Sequence, residues 1–234
     1  MPKIAPNSRY VRCARLFASL TLFACSCTLA EQAGETQPAP SARSIAFSID
    51  GVQYSVPKNY ILNMDNWSGG PQKLVEFRIT FPGFEPLTDQ TRPCLEAPVD
   101  FTGKRCARQD FFVTSGYPAS DEQAFENFRD VFKSQTPASG PFGFEQYYTG
   151  PDSAQIVTYR RKVGDSWLVF TCMHGADLGA PSTTEPSRAV CTRHHKLPSG
   201  NELGYHFYEG QLAVIDIKDE GIRTLIRNFQ TGTE

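Results

Sequence analysis

Four cysteines beyond the first thirty residues, Cys94, Cys106, Cys172 and Cys191, constrain this 234-residue chain more than any other feature. They do so because the opening residues send the chain where thiols oxidise. Fifteen residues carrying four bases (Lys3, Arg9, Arg12, Arg15) and no acid run into the apolar stretch from Leu16 to Cys25. A positive segment, a short apolar core and a zone of small residues is the layout of a bacterial export signal. The apolar run from Leu16 to Ala30 falls short of the roughly 20 residues that a membrane helix needs. Residues 1–30 therefore read as a removable leader. In the compartment beyond it, an even set of cysteines reads as two disulfides.

Four cysteines permit three connectivities. Sequential pairing, Cys94 with Cys106 and Cys172 with Cys191, closes two short loops and is favoured, each closure contributing about 3 kcal/mol on the loop-entropy argument. The first loop, Leu95 to Arg105, shows no evident secondary structure; the second, Met173 to Val190, is rich in Pro, Ser and Thr between two strands. Cys172, His174, Cys191, His194 and His195 are also zinc-type ligands close in sequence. No C-x2-C pair accompanies them, and oxidation would remove both thiols, so no metal is assigned.

Leu22-Phe23-Ala24-Cys25 has the pattern of a lipobox, which makes Cys25 the expected lipidation site and new N-terminus. Ser26 follows it, where an Asp would favour the inner membrane, so the expected address is the periplasm with an outer-membrane anchor. Cleavage after Ser26 or Ala30 would instead release a soluble protein. Residues 31–44 hold Pro, Ala, Ser, Gln and Glu with no aromatic, a composition that cannot bury a core and reads as a flexible linker. Residues 45–234 are long enough for one globular domain. Without the four leader bases the 23 Lys and Arg fall to 19 against 25 acids, a net of about −6. An acidic chain with no basic block is a poor ligand for phosphates, which argues against nucleic acid.

Alternation predicts strands at Ser44–Asp50, Val52–Val56, Lys73–Phe81, Gln109–Thr114, Phe142–Tyr148, Gln155–Lys162, Ser166–Met173, Ala189–Arg193 and Leu203–Tyr208. Asp50-Gly51 is a hairpin-turn signal. One helix is expected after a Ser120 cap, with Ala124, Phe125, Phe128, Val131 and Phe132 on one apolar stripe. A second is expected from Lys218 to Phe229, with Ile222, Leu225, Ile226 and Phe229 on one face. Turns, not helical crossovers, join the strands between Phe142 and Tyr208. The fold class is therefore α+β: a single antiparallel sheet-rich domain with two amphipathic helices on one face and two disulfides.

The chain lacks a nucleophile elbow, a zincin helix, a phosphate-binding loop and a dinucleotide fingerprint. No catalytic residue and no cofactor is assigned. The stretch from Val56 to Thr88 stands out instead, because Tyr60, Trp67, Phe81 and Phe84 sit among Pro57, Gly69, Gly70, Pro71, Pro82, Gly83 and Pro86. Rigid aromatics on braced loops suit protein recognition, with Glu85 and Asp89 adding charge at the rim. The competing reading packs these rings into the core.

The runs Gly51-Val-Gln-Tyr-Ser-Val-Pro-Lys-Asn-Tyr60-Ile, Trp67-Ser-Gly-Gly-Pro71 and Phe81-Pro-Gly-Phe-Glu-Pro86 resemble periplasmic immunity lipoproteins. These are encoded beside antibacterial effectors of contact-dependent secretion systems. The C-terminal order is similar too: two Cys around a polar loop, Tyr205-His-Phe207, then an amphipathic helix with Leu225-Ile-Arg-Asn-Phe229. The resemblance implies a binding protein rather than an enzyme, whose partner is a cognate toxin, a lipase or a cell-wall hydrolase, blocked at its active site. It implies partner contacts at Tyr60, Trp67, Phe84, Glu85 and Asp89, and membrane contact only through the lipid anchor. A structural envelope lipoprotein, or an exported hydrolase with a triad assembled only by folding, are the alternatives.

Overall fold

The computed structural model describes residues 43–62, 67–116, 121–134, 136–150, 154–175 and 188–233. The leader, Cys25, nearly all of the linker and Ser120 lie outside the described residues. Period-two alternation builds the first hairpin: β1 (Ser44–Ile49) buries Ile45, Phe47 and Ile49, and β2 (Val52–Pro57) buries Val52, Tyr54 and Val56. Asp50 and Gly51 join them at φ 47° and 78°, the two left-handed positions that a tight two-residue hairpin turn requires. A short β3 (Gly70–Gln72) then pairs parallel to β1.

The larger sheet starts with β4 (Leu74–Phe81). A short helix α1 (Arg92–Glu96) precedes β5 (Ala107–Thr114), which pairs antiparallel to β4 along its whole length. Helix α2 (Asp121–Asn127) follows, and then a meander: β6 (Ala138–Ser139), β7 (Glu145–Thr149), β8 (Ala154–Val163), β9 (Ser166–Gly175), β10 (Val190–Lys196) and β11 (Glu202–Tyr208). The meander runs inward from the far edge until β11 docks against β5. The eight-stranded order is β4-β5-β11-β10-β9-β8-β7-β6, antiparallel throughout. Helix α3 (Ile215–Phe229) and β12 (Gln230–Thr233) close the chain, β12 completing the small sheet β12-β2-β1-β3.

One core joins the two sheets and α3. Phe47, Tyr54, Phe77, Phe111, Phe170, Tyr205 and Phe207 share it with Ile215, Ile222, Ile226 and Phe229 of the helix. Rings stack in series, Phe111 on Phe77 at 4.7 Å and Phe77 near Phe229 at 6.3 Å, as buried aromatics prefer. Asn201, in the β10–β11 turn, donates to the Tyr54 hydroxyl at 2.9 Å and to the Ile49 carbonyl at 3.2 Å, tying the small sheet to the large one.

The antiparallel α+β class expected from the sequence is the observed one, with four local corrections. The two helices do not share a face: α3 fills the inner core, whereas Phe125 of α2 packs on Tyr147 and Val169 on the opposite side of the large sheet. An eight-stranded sheet has two faces to cover. The first helix also ends early, at Asn127, and continues as a 3-10 turn over Arg129–Val131. In a straight helix residues seven apart lie about 10 Å apart along the axis. The Phe125 and Phe132 rings meet at 5.2 Å, which the tightened chain permits. Strand β7 starts at Glu145 rather than Phe142, because Pro141-Phe142-Gly143 forms a turn with Phe142 at φ 54°. Finally, the loop between Cys94 and Cys106 is not devoid of secondary structure, since it carries the end of α1.

Both disulfides pair sequentially. Cys94–Cys106 ties α1 to the start of β5 with Cα atoms 5.2 Å apart, and Cys172–Cys191 joins directly opposed residues of β9 and β10. The second is fully buried. Replacing Cys172 and Cys191 together by Ala is expected to lower unfolding free energy by about 3 kcal/mol, from loop closure over 19 residues. Urea titration measures this, and an unchanged midpoint would contradict it.

Candidate partner-binding face

The stretch of β9 from Leu168 to Met173 carries no charge on either face, which makes its outer face the feature to explain. Leu168, Phe170 and Cys172 of β9 point into the core, so Val169, Thr171 and Met173 point out. Register fixes their neighbours. One outward row runs Thr149, Ile156, Met173, Val190; the next runs Tyr147, Thr158, Thr171, Thr192, His206. The threonines hold one another locally, Thr158 Oγ1 to Thr171 Oγ1 at 3.4 Å, and Thr192 Oγ1 to His206 Nδ1 at 3.1 Å. Burial, then repulsion from His194, pushes the His206 pKa down, favouring a neutral ring on this face.

Over this floor stands the α2 segment. Phe125, Phe132 and Tyr147 form a small second core with rings 4.8 to 5.2 Å apart. Phe128 and Val131 take no part in it and are 59% and 61% exposed. Between wall and floor lies an apolar groove of about 420 Å³. A second groove, about 450 Å³, lies on the same sheet face against the disulfide-closed loop, with Leu95 and Val99 facing Val190, His206 and Tyr208. Met173 is 57% exposed beside Val190, cross-strand. Exposed apolar side chains gathered along one face in this way mark interaction surfaces more often than isolated ones do.

The wall is held by a buried charge. Strands β9 and β10 pair over only three residues, 171–173 with 190–192. Beyond that point the fork of Arg193, 1% exposed, supplies the missing donors. Its Nη1 donates to the carbonyls of Val169 at 2.9 Å and His194 at 2.8 Å and to the carboxylate of Asp121, the first residue of α2. Nε donates to Asp219 of α3 at 3.3 Å, and the Tyr205 hydroxyl donates to the same carboxylate at 2.8 Å. Burial drives the Tyr205 pKa well up, so it stays a donor. His195 Nδ1 lies 3.2 Å from Asp121. One guanidinium thus joins the sheet, the wall helix and the core helix.

A second buried basic group, Lys218, lies on α3 next to Asp219. Lys218 donates to Gln109 Oε1 and Gln211 Oε1, both at 2.7 Å, and sits 4.6 Å from the Phe81 ring centroid. Burial brings its pKa down to about 7, opposed by Asp100.

The residues expected from sequence to contact a partner line neither groove. Tyr60 packs edge-on to Phe229 at 5.0 Å, and burial followed by the nearby Glu85 charge raises its pKa. Trp67 lies 5.3 Å from Phe47. Phe84 packs near Phe81 and over α3 at Gly221, where an added Cβ would fall 2.1 Å from its ring. All three rings are half-buried against the core, whereas Glu85 and Asp89 are exposed, Asp89 facing Arg92 at 3.4 Å. The zinc-type ligands diverge: both cysteines are in the disulfide, His174 lies 3.1 Å from Glu209, whose carboxylate raises its pKa, and His194 pairs with Glu202. Phe128 and Val131 are expected from their spacing on the buried stripe of the first helix and are instead exposed, while nothing in the local spacing marks Met173 and Val190. The available signal was Leu168-Val-Phe-Thr-Cys-Met173, nearly continuous in apolar character, which asks for cover on both faces.

No protein-family model matches the chain, and no curated protein does. Among solved structures, an immunity protein of the Stenotrophomonas maltophilia type IV secretion system superposes with a TM-score of 0.54 at 12% identity. The match covers 82% of this chain and 94% of that one. The two share a fold. At this identity the likeness concerns backbone architecture, not conserved side chains.

Two outcomes follow from the two buried basic groups. Asp219→Ala leaves Arg193 short of one of its two carboxylates and is expected to cost about 3–5 kcal/mol in urea unfolding; a loss below 1 kcal/mol would contradict the bridging role. For Lys218, the unfolded state holds the extra proton between about pH 7 and the ordinary value of 10.5. Stability from this residue is therefore fully present above 10.5 and lost as pH falls to about 7. Melting temperature is expected to rise over that window relative to Lys218→Met, and parallel profiles would refute it.

Proposed function

We propose that this chain is an exported immunity protein that neutralises a cognate antibacterial effector by stoichiometric occlusion. In this reading the leader takes the chain out of the cytosol, Cys25 receives the lipid, and residues 31–44 tether the domain to the outer membrane, facing the periplasm. The effector is a lipase or cell-wall hydrolase whose active site the domain covers. The observation that carries the reading is the shared fold with an immunity protein of a secretion system across most of both chains. The export leader and two disulfides agree with it, since an effector acting on lipid or cell wall must be met outside the cytosol.

The surface offers two regions for the contact. The outer face of the large sheet presents Phe128, Val131 and Met173, the kind of apolar anchors that carry interface energy. The loops holding Tyr60, Trp67, Phe84, Glu85 and Asp89 offer part-exposed ring edges and two exposed acids, which suit a polar rim. Binding here requires no catalytic group.

Deleting the gene from the producing bacterium tests the reading. Survival in co-culture with the toxin-bearing parent is expected to fall at least tenfold and to return when the full chain is supplied from a plasmid. Equal survival with and without the gene would refute it.

A further inference from the structure

The groove beneath α2 has a chemistry that the fold does not use. Its floor is formed by the uncharged Ile156, Thr158, Thr171 and Thr192, with His194, paired to Glu202, also lining it, and its wall carries Phe128 and Val131 with most of their surface in solvent. The one carboxylate at its edge, Asp121, is already held by Arg193 and His195. A charged side chain entering the groove would be desolvated without a partner, which is costly, so the floor selects uncharged groups. The wall segment from Asp121 to Lys133 has the opposite character on its solvent side. It carries Glu122, Glu126 and Asp130 against Arg129 and Lys133. Glu126 pairs with Arg129 at 2.9 Å and lies 3.6 Å from Arg160. Glu122 and Asp130, both exposed, have no ion partner among the described residues.

We infer that this groove seats a segment of the effector in which apolar side chains are flanked by Lys or Arg; the inference rests on the immunity reading above. The apolar side chains fill the space between Phe128, Val131 and the threonine floor. The bases face Glu122 and Asp130, chain neighbours of the groove-lining Asp121 and Val131, where opposite charge speeds encounter and fixes register. A volume of about 420 Å³ is within the range that anchors a ligand or a cluster of side chains. The net charge of the exported chain has the sign that attracts such a partner.

The test uses the full chain in the deletion strain, attacked by the toxin-bearing parent. Four plasmid alleles are compared: wild type, Phe128→Asp with Val131→Asp, Glu122→Lys with Asp130→Lys, and Ile217→Asp, an exposed position on α3. Protein level and melting temperature are measured for each, and sedimentation gives the oligomeric state. The apolar pair is expected to lose protection by about two orders of magnitude, and the charge-reversed pair by about tenfold, more at low salt. Ile217→Asp is expected to protect like wild type. The charge-reversed pair alters only exposed side chains, so it decides the matter if the apolar pair fails to accumulate. Failure of the wild-type allele to protect would sink the immunity reading itself. If wild type protects and both groove alleles protect equally, the groove inference is overturned while immunity stands. The same holds if the apolar pair merely converts a dimer to a monomer with protection intact, which would make the groove a contact between copies of this chain.

Discussion

The buried guanidinium of Arg193 is the interaction on which the arrangement depends. A sheet of eight antiparallel strands normally satisfies its central backbone groups by continuous pairing. Here β9 and β10 part after three residue pairs, and the carbonyl of Val169 accepts from Arg193 instead. A charge at that depth requires opposite charge, and the chain supplies it from both sides of the sheet, Asp121 from α2 and Asp219 from α3. The planar fork of Arg can serve two carboxylates and two carbonyls together, which a Lys cannot. The consequence is mechanical. The helix that walls the outer groove is fixed to the same atom group as the helix that fills the core.

Much of the fold was legible because local rules and global packing agree. The first hairpin needed only alternation and Asp50-Gly51, and α3 needed only its stripe, although the helix starts three residues before Lys218, at Ile215. The meander followed from turn-sized gaps between strands. What escaped had tertiary causes. The stripe from Ala124 to Phe132 looks like one helix face, yet a contact with Tyr147 of a later strand bends it and leaves Phe128 and Val131 in solvent. No spacing rule within those residues announces that ring. The role of Arg193 was hidden for the same reason, since its partners lie 72 and 26 residues away.

The candidate site was the less legible part. Aromatics set among prolines and glycines near Tyr60, Trp67 and Phe84 suggest anchors for a partner, and each of those rings is half-buried against the core. Gly221 in the middle of α3 illustrates the trade: a helical glycine costs about 1 kcal/mol relative to alanine, and its missing Cβ makes room for Phe84. The outer sheet face has the complementary history. Its residues are individually unremarkable threonines, a methionine and two valines, and only strand register puts them in rows.

The proposed inhibition by occlusion asks for a rigid platform, and the buried Arg193 and Lys218 networks, the sequential disulfides and the shared core provide one. It also asks for a defined contact face, which the outer side of the large sheet offers and the half-buried loop aromatics offer less well. Amide hydrogen exchange on the mature domain, alone and saturated with its purified effector, tests this most directly. Slowed exchange in peptides covering residues 121–133, 169–173 and 190–194 is the expected result. Protection confined to the loops between Tyr60 and Asp89, with the outer sheet face unchanged, would contradict it.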